Sequence, residues 1–316
     1  MTPTIFVVGS LNVDLVVRTQ RLPRSGETVM GTQMNTYPGG KGANQAVAAA
    51  KLGARTKMVG RVGTDSFGET LRTFLGSQGV DVAWVIPTGD APTGVAMIVV
   101  AESGENSIVV APGANGLVAE GDVADVPLAR GDVVVCQFEI PSFTVERVLA
   151  RARTSGATTI VNAAPARPDD RDIFRLADVL IVNELELAEL TASGPIDVSS
   201  VDDVARAAIR LRTHAEQIVV TTLGGKGALA IAGDRRIYVE GRQVAVVDTT
   251  GAGDAFVGAI AARISAGATI DDALAHANTA ASICVQRHGA GPSMPIAAEV
   301  DGAIAGAASS WLGNRT

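Results

Sequence analysis

The 316-residue sequence has few of the residues that build disulfide or zinc sites. It contains two cysteines, Cys136 and Cys284, and three histidines. The cysteines lie far apart in apolar or helical segments, so they predict neither a disulfide framework nor a cysteine metal site. The histidines lack the spacing of metal ligands and give no support to zinc chemistry. This cysteine usage is typical of a protein of the reducing cytoplasm.

Long hydrophobic runs and basic blocks are also missing. No apolar stretch reaches the roughly 18 residues of a membrane span, and the N-terminus lacks the basic region that begins a signal peptide. Lys and Arg number 26 against 33 Asp and Glu, which gives a net charge of −7. This balance disfavours nucleic acid and anionic membranes as partners and favours a small-molecule ligand.

Aromatic residues make up only 3% of the chain, whereas hydrophobic residues make up 47%. The core must therefore come from Val, Ile, Leu and Ala. Thirty-five glycines indicate many sharp turns or close backbone approaches. The length fits either two domains of about 150 residues or one large α/β domain.

Short Val- and Ile-rich runs alternate with helical patterns almost throughout the chain. The predicted buried strands are 4–9, 57–61, 132–138, 158–162, 179–182 and 217–222. The predicted helices are 41–52, 66–77, 142–154, 184–191, 201–213, 252–266, 271–287 and 297–312. Strands that are apolar on both faces and alternate with helices predict a mostly parallel sheet with helices on both sides.

Two segments interrupt this alternation. Residues 28–35 and 93–110 have the pattern of exposed strands, and the second predicts a hairpin around Ser-Gly-Glu-Asn at 103–106. Neither segment contains a helix, so neither fits a crossover between parallel strands. They predict a small β-lid beside the main sheet.

Polar residues follow four of the predicted buried strands: Glu139, Asn162, Asn183 and Thr222. Ligands of open α/β sheets bind beyond the carboxyl ends of the strands. Any one of these residues could simply begin a loop, but together they indicate a polar cleft.

Asn12 and Asp14 follow the first strand. In an extended segment they share one face, with the apolar residues on the other. An amide and a carboxylate side by side suit the vicinal hydroxyls of a sugar, although an ordinary turn-forming pair fits equally well.

A glycine-rich loop, Pro-Gly-Gly-Lys-Gly-Ala-Asn-Gln at 38–45, leads directly into an Ala-rich helix. Gly40 and Gly42 would let the backbone approach a ligand, and Lys41 adds a cation at a helix start with free N–H groups. The spacing differs from that of a Walker P-loop. A helix entry with a solvated lysine is the alternative, but the dense glycines followed by Asn44 favour a binding loop.

A second glycine-rich segment lies at 222–227, between a buried strand and the apolar run 228–232. It predicts a strand, a turn and a strand. Two interpretations fit this turn: a simple hairpin, or a loop that binds a nucleotide through its backbone.

The most specific pattern is Asp-Thr-Thr-Gly-Ala-Gly-Asp at 248–254, after a predicted strand at 243–247. Gly251, Ala252 and Gly253 lead into a helix whose first turn contains Asp254. Their N–H groups would stabilise a transferring phosphoryl group, and the carboxylate could take a proton from an attacking hydroxyl. Asp254 could also be only a favourable first-turn acid, but that role needs no glycine on both sides of Ala252.

The segments 39–45 and 248–254 resemble the N-terminal and C-terminal signatures of the ribokinase-like (PfkB) carbohydrate kinases. The resemblance extends from Gly9 to Ser293. It implies one α/β kinase domain over 1–316, with a mostly parallel central sheet flanked by helices and a small β-sheet lid formed by 14–17, 28–35 and 93–110. Because this lid commonly forms a dimer interface in the family, a homodimer is expected.

The resemblance also implies the reaction, in which ATP phosphorylates the terminal primary hydroxyl of D-ribose to give D-ribose 5-phosphate and ADP. Asp254 would be the general base, and Gly251, Ala252 and Gly253 would form the anion hole. The sugar would be bound by Asn12, Asp14, Gly40, Lys41, Gly42, Asn44, Glu139 and Asp254.

For ATP, the matching positions are Asn183, Thr222, Leu223, Gly224, Gly225, Lys226, Gly227, Gly253 and Asn278. Glu186 would help to place Mg²⁺ indirectly. A K⁺ ion would be bound by Asp248, Thr250, Cys284, Arg287, Gly289 and Ser293, several of them through backbone carbonyls. The chain departs from some relatives at Asn278, where they carry His, and at His288, where they carry Lys.

Other members of the same family remain open as alternatives, namely a fructokinase, a deoxyribokinase or an adenosine kinase. Few aromatics lie near the sugar motifs, which weakly disfavours a nucleoside kinase. A non-catalytic sugar or nucleotide sensor is a further alternative. Such a protein would be expected to have lost Asp254 or its flanking glycines, and both are present.

Overall fold

The structure is a computed structural model that describes residues 2–313, with side chains described for residues 2–306. The strands are β1 Ile5–Val8, β2 Asn12–Thr19, β3 Gly31–Gly39, β4 Thr56–Gly63, β5 Asp81–Thr88, β6 Gly94–Ala101, β7 Asn106–Ala111, β8 Val133–Cys136, β9 Thr158–Asn162, β10 Val179–Asn183, β11 Ile218–Thr222, β12 Gly227–Ala232 and β13 Arg235–Glu240. The helices are α1 Lys41–Lys51, α2 Ser66–Ser77, α3 Glu120–Ala124, α4 Ser142–Ser155, α5 Glu184–Thr191, α6 Val201–Leu211, α7 Ala252–Ser265, α8 Ile270–Cys284 and α9 Ala297–Gly313. In this part of the chain, no helix combines the length and the apolarity that crossing a bilayer requires.

The main sheet of the described residues has nine strands in the order β13-β12-β11-β10-β9-β8-β1-β4-β5. The strands from β11 to β5 run parallel, and β12 and β13 continue the sheet antiparallel at one edge. All six predicted buried strands are present, so the predicted α/β fold class is confirmed. Because β8, β9, β10 and β11 are parallel, their carboxyl ends all lie on the same side of the sheet, beyond the last residues of the strands.

The alternation of side chains along each strand divides the core into two layers. In β1, Ile5 and Val7 pack in the layer built with α1, α2, α7 and α8. Phe6 and Val8 point the other way, into the layer built with α3, α4, α5 and α6. Aliphatic residues and Ala dominate both layers, as the scarcity of aromatics predicts.

A separate sheet of four strands has the order β3-β2-β6-β7 within the described residues. Its β6–β7 pair confirms the hairpin predicted within 93–110, but only β7 is exposed throughout, whereas most of β6 is half-buried or buried. The strand predicted at 28–35 begins later, at Gly31, and continues to Gly39. Since α1 begins at Lys41, the small sheet leads directly into the glycine-rich loop.

The strand predicted at 243–247 is wrong, because this segment has no regular structure. The N–H groups of Val247 and Asp248 donate to the carbonyl of Val285 at the end of α8, at 2.8 and 3.1 Å, rather than to a neighbouring strand. The edge strands β5 and β13 are not among the predicted strands. The sequence of β13 is polar and largely exposed, so it lacks the apolar run by which a buried strand is recognised. The apolar run of β5, Val-Ala-Trp-Val-Ile, is only partly buried and ends in Pro-Thr.

Candidate active site

The two segments predicted to bind a sugar pack directly against each other. Asn12 and Asp14 of β2 lie opposite Gly39 and Tyr37 of β3. A Cβ on Gly39 would lie 2.3 Å from Oδ2 of Asp14, and one on Gly40 would lie 2.6 Å from the backbone nitrogen of Asn12. Gly40 also has φ of 91°, which side-chain-bearing residues rarely adopt. Glycine is therefore needed for this close approach.

Glu139, which follows β8, is linked to the same loop. Its Oε2 accepts a hydrogen bond from Oγ of Ser10 at 2.5 Å and one from the backbone nitrogen of Lys41 at 3.3 Å. Gly42 packs against the chain before β2, since a Cβ there would lie 2.7 Å from the nitrogen of Ser10. The structure thus brings Asn12, Asp14, Gly40, Lys41, Gly42 and Glu139 together.

Asn115, which the sequence reasoning missed, fixes the orientation of Asn12. Its Nδ2 donates to Oδ1 of Asn12 at 2.7 Å and to the carbonyl of Leu11 at 3.0 Å. Its Oδ1 accepts from the nitrogen of Leu11 at 2.8 Å. Because the oxygen of the Asn12 amide is engaged, its nitrogen is the atom left to donate to a ligand. The only signal in the sequence is the Pro-Gly-Ala-Asn turn at 112–115.

Carboxylates surround a single lysine in this region. Burial, followed by the charges of Glu139 and Asp254, raises the pKa of Asp14 to about 7. Burial alone would lower the pKa of Lys41, but Asp254, Glu139 and Glu186 together raise it. Lys41 is therefore held in its protonated form by three nearby carboxylates.

Asp254 lies in the first turn of α7 and is buried. Its Oδ2 accepts from Nδ2 of Asn44 and its Oδ1 accepts from Nε2 of Gln45, both at 2.9 Å. Burial raises the pKa of Asp254, while Lys41 and the two amide donors oppose that shift. The two glycine-containing signatures, some two hundred residues apart in sequence, thus meet at this carboxylate.

The start of α7 has the geometry of an anion site. Gly251 is the N-cap residue, with φ of 79°, and a Cβ there would lie 2.9 Å from Cα of Ala290. The N–H of Ala252 makes a 3.3 Å hydrogen bond to the carbonyl of Thr249. The first N–H groups of a helix have no partner within the helix, so Gly253 and Asp254 are placed to present theirs to an anion.

A cavity of about 290 Å³ lies beside this helix start. Residues of the predicted nucleotide set that line it are Thr222, Gly224, Gly225, Gly227, Gly253 and Asn278. Apolar side chains complete the wall, among them Val244, Val246 and Phe256. Leu223 instead packs in the core, and the side chain of Lys226 is exposed. A cavity that is largely apolar with polar backbone at one end suits a heteroaromatic base joined to phosphates.

Asn183 and Glu186 bind each other at the start of α5. Oδ1 of Asn183 accepts from the nitrogen of Glu186, and Oε2 of Glu186 accepts from the nitrogen of Asn183, both at 2.8 Å. This capping box is one local reason for the pattern. Burial raises the pKa of Glu186, while Lys41 opposes the shift, so this carboxylate faces the same charged region.

The residues predicted to bind K⁺ come from the segment before α7 and from the end of α8 with the segment that follows it. Oδ1 of Asp248 accepts from the nitrogen and hydroxyl of Thr250 at 2.9 and 2.6 Å, and its Oδ2 accepts from the nitrogen of Gly289 at 3.0 Å. Sγ of Cys284 lies 3.0 Å from Oγ of Ser293. Burial opposes ionisation of Asp248, but the hydrogen bonds from Thr250 and Gly289 lower its pKa overall.

The side chain of Arg287 turns away from this cluster and pairs with Glu299. Only its backbone could serve a cation there. In the described part of the chain, no three His, Cys, Asp or Glu side chains stand close enough to hold a metal ion. A site at this turn would therefore depend on carbonyl and hydroxyl oxygens, which suit a weakly hydrated monovalent cation.

Comparison with known proteins agrees with this arrangement. A model of the pfkB family carbohydrate kinase matches residues 2–297. This chain belongs to the PfkB family of carbohydrate kinases. The resemblance based on the two signatures is thereby confirmed.

Among relatives of this PfkB family kinase, the ribokinase of Schizosaccharomyces pombe is 39% identical over 311 residues, covering 95% of this chain and 97% of that protein. The ribokinase of Bacillus subtilis is 38% identical, covering 94% and 98%. The solved structure of Arabidopsis thaliana ribokinase complexed with ribose and ATP has a TM-score of 0.84 at 34% identity, covering 95% of this chain and 98% of that one. The family kinase thus has a ribokinase-like fold over nearly its whole length.

Proposed function

We propose that this kinase transfers the γ-phosphoryl group of ATP to the terminal primary hydroxyl of D-ribose, giving D-ribose 5-phosphate and ADP. The observation that carries the proposal is the position of Asp254. It bonds to Asn44 of the sugar loop at 2.9 Å, and its neighbour Gly253 lines the predicted nucleotide cavity. A base at this junction would face both substrates. The similarity to ribokinases, one of them solved with ribose and ATP, supports ribose as the sugar.

In this proposal the sugar lies against β2 and the glycine-rich loop. Asp14 would accept hydrogen bonds from the ring hydroxyls, and Asn12 would donate from the nitrogen that Asn115 leaves available. Lys41, Asn44 and Glu139 would bind the remaining hydroxyls. Because these groups come from three different elements, they would hold one sugar in one orientation.

Asp254 acts as general base on the primary hydroxyl. It takes the hydroxyl proton while the sugar oxygen bonds to the γ-phosphorus, and the electrons of the breaking phosphorus–oxygen bond stay with ADP. The N–H groups around Gly251, Ala252 and Gly253 would stabilise the charge that spreads over the phosphoryl oxygens. Closure of the small sheet over the sugar would exclude water and limit ATP hydrolysis.

Two cations fit the residues present. Mg²⁺ favours carboxylate, phosphate and water oxygens. Glu186, which among the described residues accepts a hydrogen bond from the nitrogen of Asn183 alone, would help to hold it indirectly. Mg²⁺ would neutralise charge on the phosphates. K⁺ would be held at the turn around Asp248, Thr250 and Ser293, next to the anion hole.

We also propose a homodimer that forms through the small sheet. Its support is a group of exposed apolar side chains that share one face of β3, β6 and β7: Met34, Met97 and Val109. Met97 and Val109 are cross-strand neighbours, and they are 50% and 59% exposed. Apolar side chains grouped in this way are typical of a surface that a partner covers. A second copy of the chain presents the same surface.

A cytoplasmic location remains the proposal from cysteine usage.

The substrate proposal is tested by ADP release with ribose, deoxyribose, fructose, adenosine or no sugar, each with KCl or NaCl. We expect the highest kcat/KM with ribose and faster turnover in KCl. Preference for fructose or adenosine would assign the chain to another substrate within the family. Absence of sugar-dependent ADP release with every acceptor would favour the sensor.

A further inference from the structure

A chain of buried side-chain amides extends from Asp254 through Gln45 to Gln137 and Asn162. Gln45 of α1 is 1% exposed. Its Nε2 donates to Oδ1 of Asp254 at 2.9 Å and to Oδ1 of Asn162 at 3.1 Å. Its Oε1 accepts from Nε2 of Gln137 at 2.6 Å. The three amides come from α1, from the end of β9 and from the segment after β8, so their meeting depends on the tertiary fold.

The orientation of the Gln45 amide follows from its partners. Two oxygens face its nitrogen, and one of them belongs to a carboxylate. Reversing the amide would place Oε1 against both oxygens and would leave the Gln137 nitrogen facing another nitrogen. The arrangement is therefore the one that favours an ionised Asp254.

The amides of Gln45 and Asn44 have different surroundings. Asn44 belongs to the residues proposed to meet the sugar, so its bond to Asp254 competes with a ligand. Gln45 is held on its other side by Gln137 and has no such competitor among its bonds. Its hydrogen bond can persist through substrate binding and fix one carboxylate oxygen while the other accepts the proton.

We propose that Gln45, itself oriented by Gln137, is a positioning residue that aims the Asp254 carboxylate and favours its ionised form. This inference rests on the proposed role of Asp254 as the base. It adds a residue to the site that does not touch either substrate.

The buried side-chain oxygen of Gln137 is difficult to explain by packing alone. Oε1 of Gln137 is buried without a hydrogen-bond partner among the described residues, and a buried polar atom without a partner is destabilising. An apolar side chain would fill this position at lower free-energy cost. Retaining the amide is reasonable if its nitrogen is needed to orient Gln45.

The charge of Asp254 depends on several neighbours. Burial disfavours its ionised form, Lys41 of α1 favours it, and Glu139 disfavours it. Asp14 and Glu186 also interact with its charge. Against this background, loss of the Gln45 donor removes one stabilising contact to the carboxylate. The pKa of Asp254 then rises, and the enzyme needs a higher pH to hold its base ionised.

The test compares Gln45→Met and Gln137→Leu with the wild type, by kcat and KM from pH 5.5 to 9 with the sugar that the wild type uses. For Gln45→Met we expect kcat to fall roughly 10- to 100-fold with little change in the sugar KM. We expect the acid limb of the kcat profile to move up by about one pH unit. Gln137→Leu should give changes in the same direction but smaller, because Gln45 keeps its hydrogen bond to Asp254 and loses only the donor that orients it.

Gln217→Leu is the matched control. Gln217 is also fully buried, and it donates to the carbonyls of Phe174 and Ala177 at 2.6 and 2.9 Å. It directly precedes β11, so it lies at the amino ends of the parallel strands, whereas the site lies at their carboxyl ends. Its substitution should lower the melting temperature without moving the pH profile.

The outcomes separate the two proposals. Asp254→Asn with near-normal turnover would overturn the proposed base. Turnover that depends on Asp254, with a wild-type kcat and pH profile in Gln45→Met, would overturn only the role of Gln45. Should Gln45→Met fail to fold, an unchanged profile in Gln137→Leu would overturn it equally.

Discussion

Asp14 should reduce the stability of the protein when no sugar is bound. The residue is 8% exposed, and no donor among the described residues forms a hydrogen bond to its carboxylate. Burial and the nearby charges of Glu139 and Asp254 raise its pKa from 3.8 to about 7. The folded state therefore prefers protonated Asp14, whereas the unfolded chain ionises it near pH 4.

The sign and size follow from proton linkage. A raised folded-state pKa contributes stability at pH values below the unfolded pKa, and that contribution is lost as pH rises to about 7. Above pH 7 the cost of keeping Asp14 ionised is on the order of 4 kcal/mol, and at pH 5 it is less than half of that. Asp14→Asn keeps the size of the side chain and removes the charge. It should stabilise the sugar-free protein most at pH 8.

The assay is thermal unfolding of wild type and Asp14→Asn at pH 8 and pH 5 without ligands, together with the KM for ribose. We expect Asp14→Asn to raise the melting temperature by several degrees at pH 8, to give a smaller rise at pH 5, and to bind ribose poorly. In the wild type, the ribose KM should rise roughly 10-fold from pH 8 to pH 6, as Asp14 takes up a proton. A variant that is less stable than wild type at pH 8, or a gain independent of pH, would refute this reasoning.

Three further predictions follow from other contacts. Asn115→Leu should raise the ribose KM more than it lowers kcat, because it frees the Asn12 amide to rotate; equal KM values in wild type and variant would contradict this. Val109→Glu, with Met97→Glu as a second variant, should give a monomer by light scattering, and a wild-type monomer would exclude the proposed dimer. Asp248→Asn should reduce the ratio of activity in KCl to activity in NaCl, and an unchanged ratio would argue against a cation at this turn.

Much of the fold could be predicted because buried parallel strands have a simple pattern. The residues of β8, Val-Val-Val-Cys, are apolar on both faces and all buried, and the strand lies within the predicted 132–138. The segment 243–247 is equally rich in valine, but Val244 and Val246 line a cavity instead of joining a sheet. Apolar composition alone does not distinguish these two environments. The edge strand β13 shows the opposite error. It is a strand that the prediction omits, because its exposed polar residues lack the apolar pattern of a buried strand.

The site divides along similar lines. Asp254 could be singled out because it lies in the first turn of a helix directly after a glycine-rich segment, in which Gly251 needs a left-handed backbone and a close approach to Ala290. Gln45 and Asn115 have no such local pattern. Each acts through an amide whose partner is more than one hundred residues away in sequence, so its role depends on the tertiary fold. Arg287 is a residue that the sequence includes in the predicted K⁺ site, but its side chain pairs with Glu299 instead of facing that site.

The central proposal is that Asp254 removes the proton from the primary hydroxyl of ribose during phosphoryl transfer. The most direct measurement is ribose-dependent ADP formation by wild type and Asp254→Asn, with ribose binding measured separately by calorimetry. We predict that the wild type forms ribose 5-phosphate, and that the variant binds ribose but loses about 10²- to 10⁴-fold in kcat. Turnover by Asp254→Asn within a few-fold of wild type would contradict it.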